Sequence, residues 1–444
     1  MPILRQENAQ HAESCTTVGI DDISVYIPRL FVPTAGEFAS SRGIDPLKLT
    51  QGIGIERMAI PDAHEDAATM AAMSLLDLMR RNDLAPDQIG RIYIGTESAV
   101  DEAKAMGTYV IGMLEDIYGE GAFRECSTVE MKSACIATAM ALESLSYWAS
   151  AEDRVGIAIA SDIARYPLRS PGEYTQGAGS VALLVKRSPR LIALEQVYGS
   201  YTRDENDFFR PVGCSTAVVD GKHSNQCYLD AVREAFLSYS RAAQRRGIIE
   251  LEEGECVSDQ IDWLLFHIPY PRMVEYASAE ILREEWRGLP RWRRVLEETG
   301  PEAEEREFVR RFSRSRPFLE AFGSKVRETA LISRQVGNIY TGSIFLGLAS
   351  LIEAHRLSPG ERLCFAAYGS GCSALVFSGI VQREGKTLLP LGVLERLGMR
   401  RMISIEEYER LHEGRAEKSI IEPCQEFALE GIDGKGYRHY CYVG

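Results

Sequence analysis

Short apolar runs rich in β-branched residues alternate along the chain with longer stretches of helical periodicity. In the first half, buried strands are predicted for the runs TVGIDDISVY, IGRIYIG, RVGIAIAS and GAGSVALLV. The stretch DAATMAAMSLLDLMRR, residues 66–81, has apolar positions at helical spacing and ends in two arginines, as a helix C terminus often does. The alternation predicts an α/β fold in which helices cover buried, mixed sheets.

The second half of the chain repeats this order with weak residue identity. Its matching segments are IDWLLFHIPY, GNIYTGSIFLGLASLIEAH and LCFAAYGSGCSALVFSGIV. We therefore predict a polar tail over 1–17 and two pseudo-repeated halves, 18–195 and 196–444. The charged stretch at about 279–330 is predicted to be a helical insertion with solvated faces, and its RWRR segment is either such a face or a binding surface.

Composition excludes several classes of protein. The 444 residues carry a formal net charge of -14, which argues against a nucleic-acid partner. The ten cysteines are scattered singly without a CxxC pair, which argues against zinc ligation and disulfide staples. The start of the chain lacks the apolar core of a signal peptide, and no run of about 20 apolar residues predicts a membrane span. These features favour a reduced, cytoplasmic protein.

Four polar residues follow predicted strands or precede predicted helices. Cys135, in EMKSACIATAMALESL, is expected at a helix N terminus, where the backbone N–H groups would stabilise a thiolate. Glu97 and His267 each end an apolar run, and Asn338 precedes a helix. Each also has a structural interpretation: a buried small side chain for Cys135, a helix-start carboxylate for Glu97, a core imidazole for His267 and a helix cap for Asn338.

The set of motifs resembles the hydroxymethylglutaryl-CoA synthase family of the thiolase superfamily. The resemblance runs from about Val18 through the YGSG turn and, more loosely, to the C terminus. The matching segments are GTESAVDEAK, EMKSACIATAMAL, SDIARYPLRSPGEYTQGAGSVALL, NDFFRP, VDGKHSNQCYLDA, FHIPYPRM, VGNIYTGS and YGSG. The resemblance implies a thiolase-like duplicated fold with layered helices and mixed sheets. It also implies condensation of acetyl-CoA with acetoacetyl-CoA and water to give 3-hydroxy-3-methylglutaryl-CoA, in the mevalonate route to isoprenoids.

Roles for the four residues follow from the same resemblance. Cys135 would carry the acetyl group as a thioester, and Glu97 would act as general acid and base. His267 and Asn338 would donate hydrogen bonds to the acetoacetyl group. The N–H of Cys135 and one from the turn at 370–372 would form an oxyanion hole. No metal and no cofactor is implied beyond the two CoA substrates.

Further residues are carried over by the same motifs. Substrate contacts are implied for Tyr166, Thr175, Ser224, Arg272 and Ser370, and structural support for Asp162 and Asp207. Arg272 stands where a lysine is common in the family, and we expect it either to bind CoA phosphate or to pair with a surface carboxylate.

The resemblance also implies a homodimer in which the sheet continues into its two-fold mate. Three other functions stay open: the same chemistry on carrier-protein thioesters in polyketide branching, a Cys-His-Asn hydrolase, and a scaffold without activity.

Overall fold

One nine-stranded mixed sheet runs through the molecule. The computed structural model describes residues 17–302, 304–387 and 390–444, so the predicted tail lies almost wholly outside the described residues. The strands of the chain are β1 (Val18–Tyr26), β2 (Leu30–Pro33), β3 (Arg57–Ile60), β4 (Ile89–Gly95), β5 (Ser127–Met131), β6 (Val155–Ile163), β7 (Ala178–Arg187), β8 (Ile192–Thr202), β9 (Phe208–Phe209), β10 (Val218–Val219), β11 (Trp263–Phe266), β12 (Arg362–Gly369), β13 (Ser373–Val381), β14 (Arg401–Met402), β15 (Glu426–Ile432) and β16 (Arg438–Val443). The large sheet has the order β11-β12-β13-β8-β1-β7-β6-β4-β5.

The pairing pattern of this sheet shows the duplication. In the first half β4 pairs parallel with β6, and β6 then pairs antiparallel with β7, which pairs antiparallel with β1. In the second half β11 pairs parallel with β12, which pairs antiparallel with β13, and β13 pairs antiparallel with β8. The two series meet where β1 pairs with β8, so the predicted division at 195/196 falls inside β8. The predicted duplicated α/β fold is confirmed.

Helices cover the sheet in matching positions of the two halves. They are α1 (Ala39–Arg42), α2 (Ala67–Arg81), α3 (Met106–Tyr118), α4 (Ala137–Ala151), α5 (Gly221–Arg245), α6 (Arg272–Trp286), α7 (Trp292–Thr299), α8 (Glu305–Phe312), α9 (Arg316–Lys325), α10 (Ser333–Val336), α11 (Ser343–Glu353), α12 (Val393–Met399) and α13 (Ile405–His412). α4 and α11 share one apolar core with the sheet. α2 and α3 pack in a second core on the first half, and α5 and α6 in a third on the second half.

The predicted helix at 66–81 begins as its sequence suggests. The Asp66 carboxylate accepts a hydrogen bond from the backbone N–H of Thr69 at 2.9 Å, and the Thr69 hydroxyl accepts one from the N–H of Asp66 at 2.8 Å. This capping box satisfies two backbone donors that the first helical turn leaves free. Arg80 and Arg81 lie in the last turn, where cations are favourable.

The charged stretch at 279–330 forms helices, but it is not simply solvated. α6 to α9 enclose an apolar core of their own that contains Trp286, Trp292 and Phe312. Within RWRR, Arg291 pairs with Asp259 and Trp292 is buried. The expectation of solvated helices is wrong in this respect, because charged residues at high density concealed the aromatic positions that recur at helical spacing.

The first and last parts of the chain complete the molecule outside the large sheet. β14, β2 and β3 form a three-stranded sheet, and β15 pairs with β16 in a C-terminal hairpin. The Asp66 carboxylate accepts a hydrogen bond from the Tyr440 hydroxyl at 2.7 Å, which ties this hairpin to the start of α2. No helix in the described ranges has the length and apolar character to cross a membrane.

Candidate active site

A strained turn places Cys135 between β5 and α4. Ala134 has φ of +47°, a left-handed conformation that costs free energy for a residue with a Cβ. The turn carries Cys135 to a position two residues before Ala137, the first residue of α4. The Cys135 side chain is buried, at 8% relative exposure, in a small cluster with Ala164 and Tyr340.

Glu97 reaches Cys135 because β4 ends directly against the start of α4. A Cβ on Gly95 would lie 2.4 Å from the backbone nitrogen of Thr138, so only glycine permits this approach. Two residues later, the Glu97 carboxylate accepts a hydrogen bond from the Cys135 thiol, with an S–O distance of 2.6 Å. The sequence motifs predicted these two residues, and the structure brings them into contact.

Burial and like charge together keep this pair protonated. Desolvation and the Asp162 carboxylate raise the pKa of Glu97 to about 8. Desolvation and the Glu97 carboxylate raise the pKa of the Cys135 thiol well above its usual range. The expectation that the helix N terminus lowers this thiol pKa is wrong, since burial beside acidic side chains outweighs the backbone N–H groups.

Asp162, at the end of β6, holds the turn that carries Glu97. One carboxylate oxygen accepts the backbone N–H of Glu97 at 2.7 Å, and the other accepts the Thr341 hydroxyl at 2.5 Å. Burial raises the pKa of Asp162 to about 6. Since Thr341 belongs to the second half and Glu97 to the first, this carboxylate joins the two halves behind the reactive pair.

His267 directly follows β11, as Glu97 follows β4 in the other half. Its backbone N–H donates to the Ala366 carbonyl at 3.0 Å, and its carbonyl accepts from the Tyr228 hydroxyl at 2.8 Å. The imidazole is buried, and its Nδ1 has no hydrogen-bond partner within the described part of the chain. Desolvation lowers the pKa of His267 to about 3, so the ring is neutral at physiological pH.

The Asn338 side chain can act both as a helix cap and as a hydrogen-bond donor to a substrate. Its side-chain oxygen accepts hydrogen bonds from the N–H of Tyr340 and the hydroxyl of Ser343, both at 2.8 Å. The residue therefore caps the turn before α11, and it is buried. Because both bonds go to the oxygen, the side-chain nitrogen is the group that can donate to a substrate.

Aromatic rings enclose the space beside the thiol. Tyr166 and Tyr340 each make an edge contact with Phe208, at centroid distances of 6.2 and 6.1 Å. The Thr175 hydroxyl donates to the Gly172 carbonyl at 2.8 Å, and its carbonyl accepts from the N–H of Asn338 at 2.9 Å. Tyr166 thus lies beside the Cys135 cluster, while Thr175 holds the Asn338 segment in place.

Asp207 organises the wall formed by the YGSG turn. Its carboxylate accepts hydrogen bonds from the hydroxyls of Ser224 and Tyr368, at 3.0 and 2.9 Å, and from the N–H of Gly371 at 2.9 Å. Asp207 is fully buried. The Ser224 hydroxyl, one of the predicted substrate contacts, therefore donates to Asp207 in this structure.

Hydrogen bonds within the protein reduce the number of N–H groups in the 370–372 turn that could form the predicted oxyanion hole. The N–H of Gly371 is taken by Asp207, and the N–H of Cys372 donates to the Arg203 carbonyl at 2.8 Å. Ser370, half-buried at the end of β12, is the member of the turn whose N–H can serve a substrate oxygen. A Cβ on Gly369 would lie 2.7 Å from the Ser133 carbonyl, so this turn approaches the Cys135 segment closely.

Arg272 lines a basic groove whose lining residues do not include Cys135. It pairs with the Glu275 carboxylate and donates to the Gln51 carbonyl at 2.9 Å. The groove has a volume of about 970 Å³, and Arg272 lines it together with Arg310, Arg314, Arg327 and Arg334. Among the described residues, no carboxylate forms an ion pair with Arg310, Arg314 or Arg334. The groove therefore offers positive charge beyond the pair made by Arg272.

Two residues near the Cys135–Glu97 pair are not among the site residues that the sequence predicts. Phe208 contacts the aromatic rings beside Cys135, and Arg210 donates a hydrogen bond to the Glu97 carbonyl. Both belong to the NDFFRP segment, which was recognised as a motif without a role for these side chains. An arginine beside aromatic residues in a family motif was the available signal.

Two clusters of metal-ligand side chains lie outside the reactive pair. One contains Glu205, His223 and Cys227, and the other His64, Glu65 and Glu426. Glu205 pairs with Arg203 at 2.7 Å, and Glu426 pairs with Arg29. In both clusters an arginine already balances part of the acidic charge. In each cluster two residues are close in the sequence, and the fold adds the third, Glu205 or Glu426.

Comparisons with known proteins identify the family of the chain. Residues 14–189 match the family model for the N-terminal domain of hydroxymethylglutaryl-coenzyme A synthase, and residues 192–420 match the model for its C-terminal domain. The hydroxymethylglutaryl-CoA synthase of Haloferax volcanii is 34% identical over 457 residues, which cover 96% of this chain and 100% of that relative.

Two solved structures are similar over nearly the whole chain. MvaS in complex with 3-hydroxy-3-methylglutaryl coenzyme A aligns with a TM-score of 0.85 at 30% identity, covering 97% of this chain and 100% of that one. The curacin pathway HMG synthase in complex with apo donor-ACP aligns with a TM-score of 0.79 at 25% identity, covering 96% and 100%. Both likenesses extend across the two halves that meet at the reactive pair.

Proposed function

Since the chain belongs to the hydroxymethylglutaryl-CoA synthase family and condenses acetyl-CoA with acetoacetyl-CoA and water, we propose that the reaction proceeds through acetyl-Cys135. The observation that carries this proposal is the 2.6 Å hydrogen bond from the Cys135 thiol to Glu97. A buried thiol needs a base within reach to become a nucleophile. Glu97 is that base, and its raised pKa lets it hold the proton until the sulfur has reacted.

Acetyl transfer is the first step. The thiol proton moves to Glu97 as the sulfur attacks the carbonyl carbon of acetyl-CoA. The tetrahedral oxyanion would accept hydrogen bonds from the N–H groups of Cys135 and Ser370. The carbon–sulfur bond to CoA then breaks, and the departing thiolate takes the proton from Glu97. This leaves the acetyl group on Cys135 and Glu97 as a carboxylate.

Condensation needs the second role of Glu97. As a carboxylate it removes a proton from the acetyl methyl group, and the resulting enolate attacks the ketone carbon of acetoacetyl-CoA. The alkoxide that forms takes the proton back from Glu97. Neutral His267 and the Asn338 side-chain nitrogen would donate hydrogen bonds to the acetoacetyl oxygens and orient the group. Water then cleaves the thioester to Cys135 and releases the product.

Mass spectrometry tests the covalent step directly. The wild-type protein, mixed with acetyl-CoA alone, should gain the mass of one acetyl group on the peptide containing Cys135 and release one equivalent of free CoA. The Cys424→Ser variant is a matched control, because Cys424 is an exposed cysteine that precedes the C-terminal hairpin β15–β16. Acetylation of another cysteine, or hydrolysis of acetyl-CoA without a labelled peptide, would refute the proposal.

The basic groove supports free CoA thioesters as substrates. CoA carries a 3′-phosphate and a diphosphate, and arginine binds phosphate through a bidentate pair of hydrogen bonds. Arg272 lines the groove from the first turn of α6, five residues after His267, so the groove lies on the same segment as the acyl site. Its Glu275 partner must yield if Arg272 is to bind phosphate. Arg314, which lines the same groove, makes no ion pair in the part of the chain described here.

A carrier-protein substrate is the second candidate, and the same arginines favour it. The curacin enzyme, which is similar across the fold, is seen with a donor-ACP. The decisive comparison is kcat/KM for acetoacetyl-CoA, acetoacetyl-pantetheine and an acetoacetyl carrier protein, in the wild type and in Arg272→Ala and Arg314→Ala. We expect CoA to be preferred, and loss of either arginine to raise KM for CoA but not for pantetheine. Preference for the carrier protein would move the function to polyketide branching.

Assembly as a homodimer is part of this proposal. β5 is an edge strand of the nine-stranded sheet, and Val129 at its centre is 40% exposed. An unpaired edge with an exposed apolar residue is a surface that a two-fold mate can cover. Light scattering at micromolar concentration should give a dimer, and Val129→Lys should shift it toward the monomer. A monomeric wild type would contradict this assembly.

The cellular setting is proposed on the same basis. The substrates are acetyl-CoA and acetoacetyl-CoA, the product enters the mevalonate route to isoprenoids, and the protein acts in the cytoplasm without a metal or redox cofactor. Catalysis by protein purified in the presence of a chelator, at the rate of untreated protein, is the expected outcome.

A further inference from the structure

The short strands β9 and β10 form a hairpin whose Phe208 packs beside Cys135. β9 and β10 pair through Phe208 with Val219 and Phe209 with Val218, and the segment before them carries Asp207. Asp207 fixes the hairpin to the YGSG wall, and Phe208 packs against the rings beside Cys135. These contacts leave little freedom for the next residues of the strand, so the hairpin presents Arg210 to the site in a defined place.

Arg210 contacts the backbone of Glu97, the residue that accepts the Cys135 thiol hydrogen bond. Its guanidinium, on an exposed side chain, donates to the backbone carbonyl of Glu97. The opposite side of the same peptide segment is held by Asp162, which accepts the Glu97 N–H at 2.7 Å. The Glu97 backbone is therefore held from both halves of the molecule. Its N–H donates to Asp162 of the first half, and its carbonyl accepts from Arg210 of the second half.

The charges around the pair show what the guanidinium adds. Cys135 is surrounded by the carboxylates of Glu97, Asp162 and Asp207, each of which raises its thiol pKa. Over the described residues, Arg210 is the one cation whose charge lowers the pKa of Glu97. Without this cation the site would hold three buried acids and no balancing charge, and a negatively charged oxyanion or enolate would form among them at greater cost.

We propose that Arg210 is a positioning residue of the condensing reaction: its guanidinium holds the Glu97 backbone, and through it the side chain, in place beside Cys135, and it supplies a positive charge close to the pair. The inference rests on the proposed function for its effect on turnover, and on geometry alone for its effect on the thiol. Arg210 acts on the backbone of the acid/base residue rather than on a substrate.

The first test measures the pair without any substrate. Alkylation of Cys135 by iodoacetamide is followed peptide by peptide across pH in the wild type and in Arg210→Met. Loss of the cation disfavours every anionic form of the coupled pair, so the alkylation profile should shift upward by about one pH unit. Arg203→Met is the matched control, because Arg203 is an exposed arginine before the same hairpin that pairs with Glu205. An unshifted profile in Arg210→Met would overturn the proposal.

The second test separates positioning from substrate binding. Arg210→Met should lower kcat by about 10- to 100-fold, since small displacements of an acid/base group have effects of this size, and leave KM for both CoA substrates within about two-fold. Arg210→Lys keeps the charge and should restore the alkylation profile while recovering kcat only in part. A variant that raises KM and keeps kcat would identify Arg210 as a CoA-binding residue instead.

The two proposals fail in distinguishable ways. If wild-type protein forms no acetyl-Cys135 and no hydroxymethylglutaryl-CoA, the function is wrong, yet the alkylation shift still reports on Arg210. If the wild type is active and Arg210→Met matches it in kcat and in profile, only the role of Arg210 is wrong. Thermal unfolding of each variant identifies a hairpin that no longer folds, and Arg210→Lys then decides the question.

Discussion

The same burial has opposite results at the ends of β4 and β11. Glu97 and His267 occupy similar positions in the two halves, two residues and one residue after a strand that pairs parallel with its neighbour. Desolvation raises the pKa of Glu97 to about 8 and lowers that of His267 to about 3. Burial favours the neutral form of either group, which is protonated for a carboxyl and deprotonated for an imidazole.

The opposite pKa shifts suit Glu97 and His267 to different chemical roles. A carboxyl group that titrates near neutral pH can take a proton in one step and return it in the next. An imidazole that is neutral at every physiological pH can donate a hydrogen bond and polarise a carbonyl group, but it does not exchange a net proton. In the proposed reaction, the duplication supplies two similar positions, and residue type determines which one holds the acid/base group and which the fixed donor.

Among the substitutions at the site, replacing the Cys135 sulfur should have the largest effect on turnover. Cys135→Ser should fold normally and show no acetyl-enzyme, because a hydroxyl is a far weaker nucleophile than a thiolate. Turnover should fall below detection, as measured by loss of acetoacetyl-CoA absorbance. Retention of most of the wild-type rate would show that Cys135 is not the nucleophile.

Removing the carboxylate should affect condensation more than acetylation. Glu97→Ala deprives the thiol of its proton acceptor, but it also removes the charge that raises the thiol pKa, so the two effects on acetylation oppose each other. Carbon–carbon bond formation has no such compensation and should fall by more than the ~10²–10⁴-fold typical of one acid/base group. Rapid-quench measurement of acetyl-Cys135 and of product separates the steps. Lost acetylation with normal condensation from pre-acetylated enzyme would reverse the assignment.

Removing the fixed donor should be milder and confined to the second substrate. His267→Ala and Asn338→Ala should each reduce kcat/KM for acetoacetyl-CoA by about 10²–10³-fold, the loss typical of one donor to a developing oxyanion. Acetylation measured by stopped flow should stay near the wild-type rate. Its collapse in both variants would place these residues in the first step.

The pH profile of kcat/KM should show the titration of Glu97 and not that of His267. Glu97 must be ionised to act as a base, so kcat/KM should rise about tenfold per unit as pH increases toward about 8 and then level off. His267, neutral above its pKa of about 3, should contribute no limb between pH 5 and 9. A limb near 6.5 that disappears in His267→Gln would show that the imidazole titrates in this range.

The smallest expected effect is on stability. A carboxyl group with a raised pKa in the folded state favours folding fully below its ordinary pKa of 4.5, and this contribution is lost as pH rises through about 8. Glu97→Gln removes the charge and should make the protein more stable than the wild type near pH 8, by about 1–3 kcal/mol. Denaturant unfolding at pH 5 and pH 8 tests the sign, since the difference should be small at the lower pH.

The sequence alone predicted the alternation of strands and helices and the candidate catalytic residues. Apolar runs and helical periodicity located β4, β6, β7 and β11, because these elements are buried on both faces or amphipathic. Family motifs identified Cys135, Glu97, His267 and Asn338. They could do so because each of these residues stands in a short segment that resembles the family, and not because of periodicity, which is least informative at the ends of elements.

Tertiary structure decided everything that depends on residues distant in the chain. The Cys135 thiol lies at a helix start, as predicted, yet its pKa is raised because Glu97, Asp162 and Asp207 converge on it from separate segments. The aromatic core within 279–330 was hidden by composition, since charge density along a chain does not show which helix face is buried. Arg210 contacts Glu97 across 113 residues of sequence, and only the fold brings a guanidinium to that carbonyl. Electrostatic environment is a sum over neighbours in space, and the chain order does not contain it.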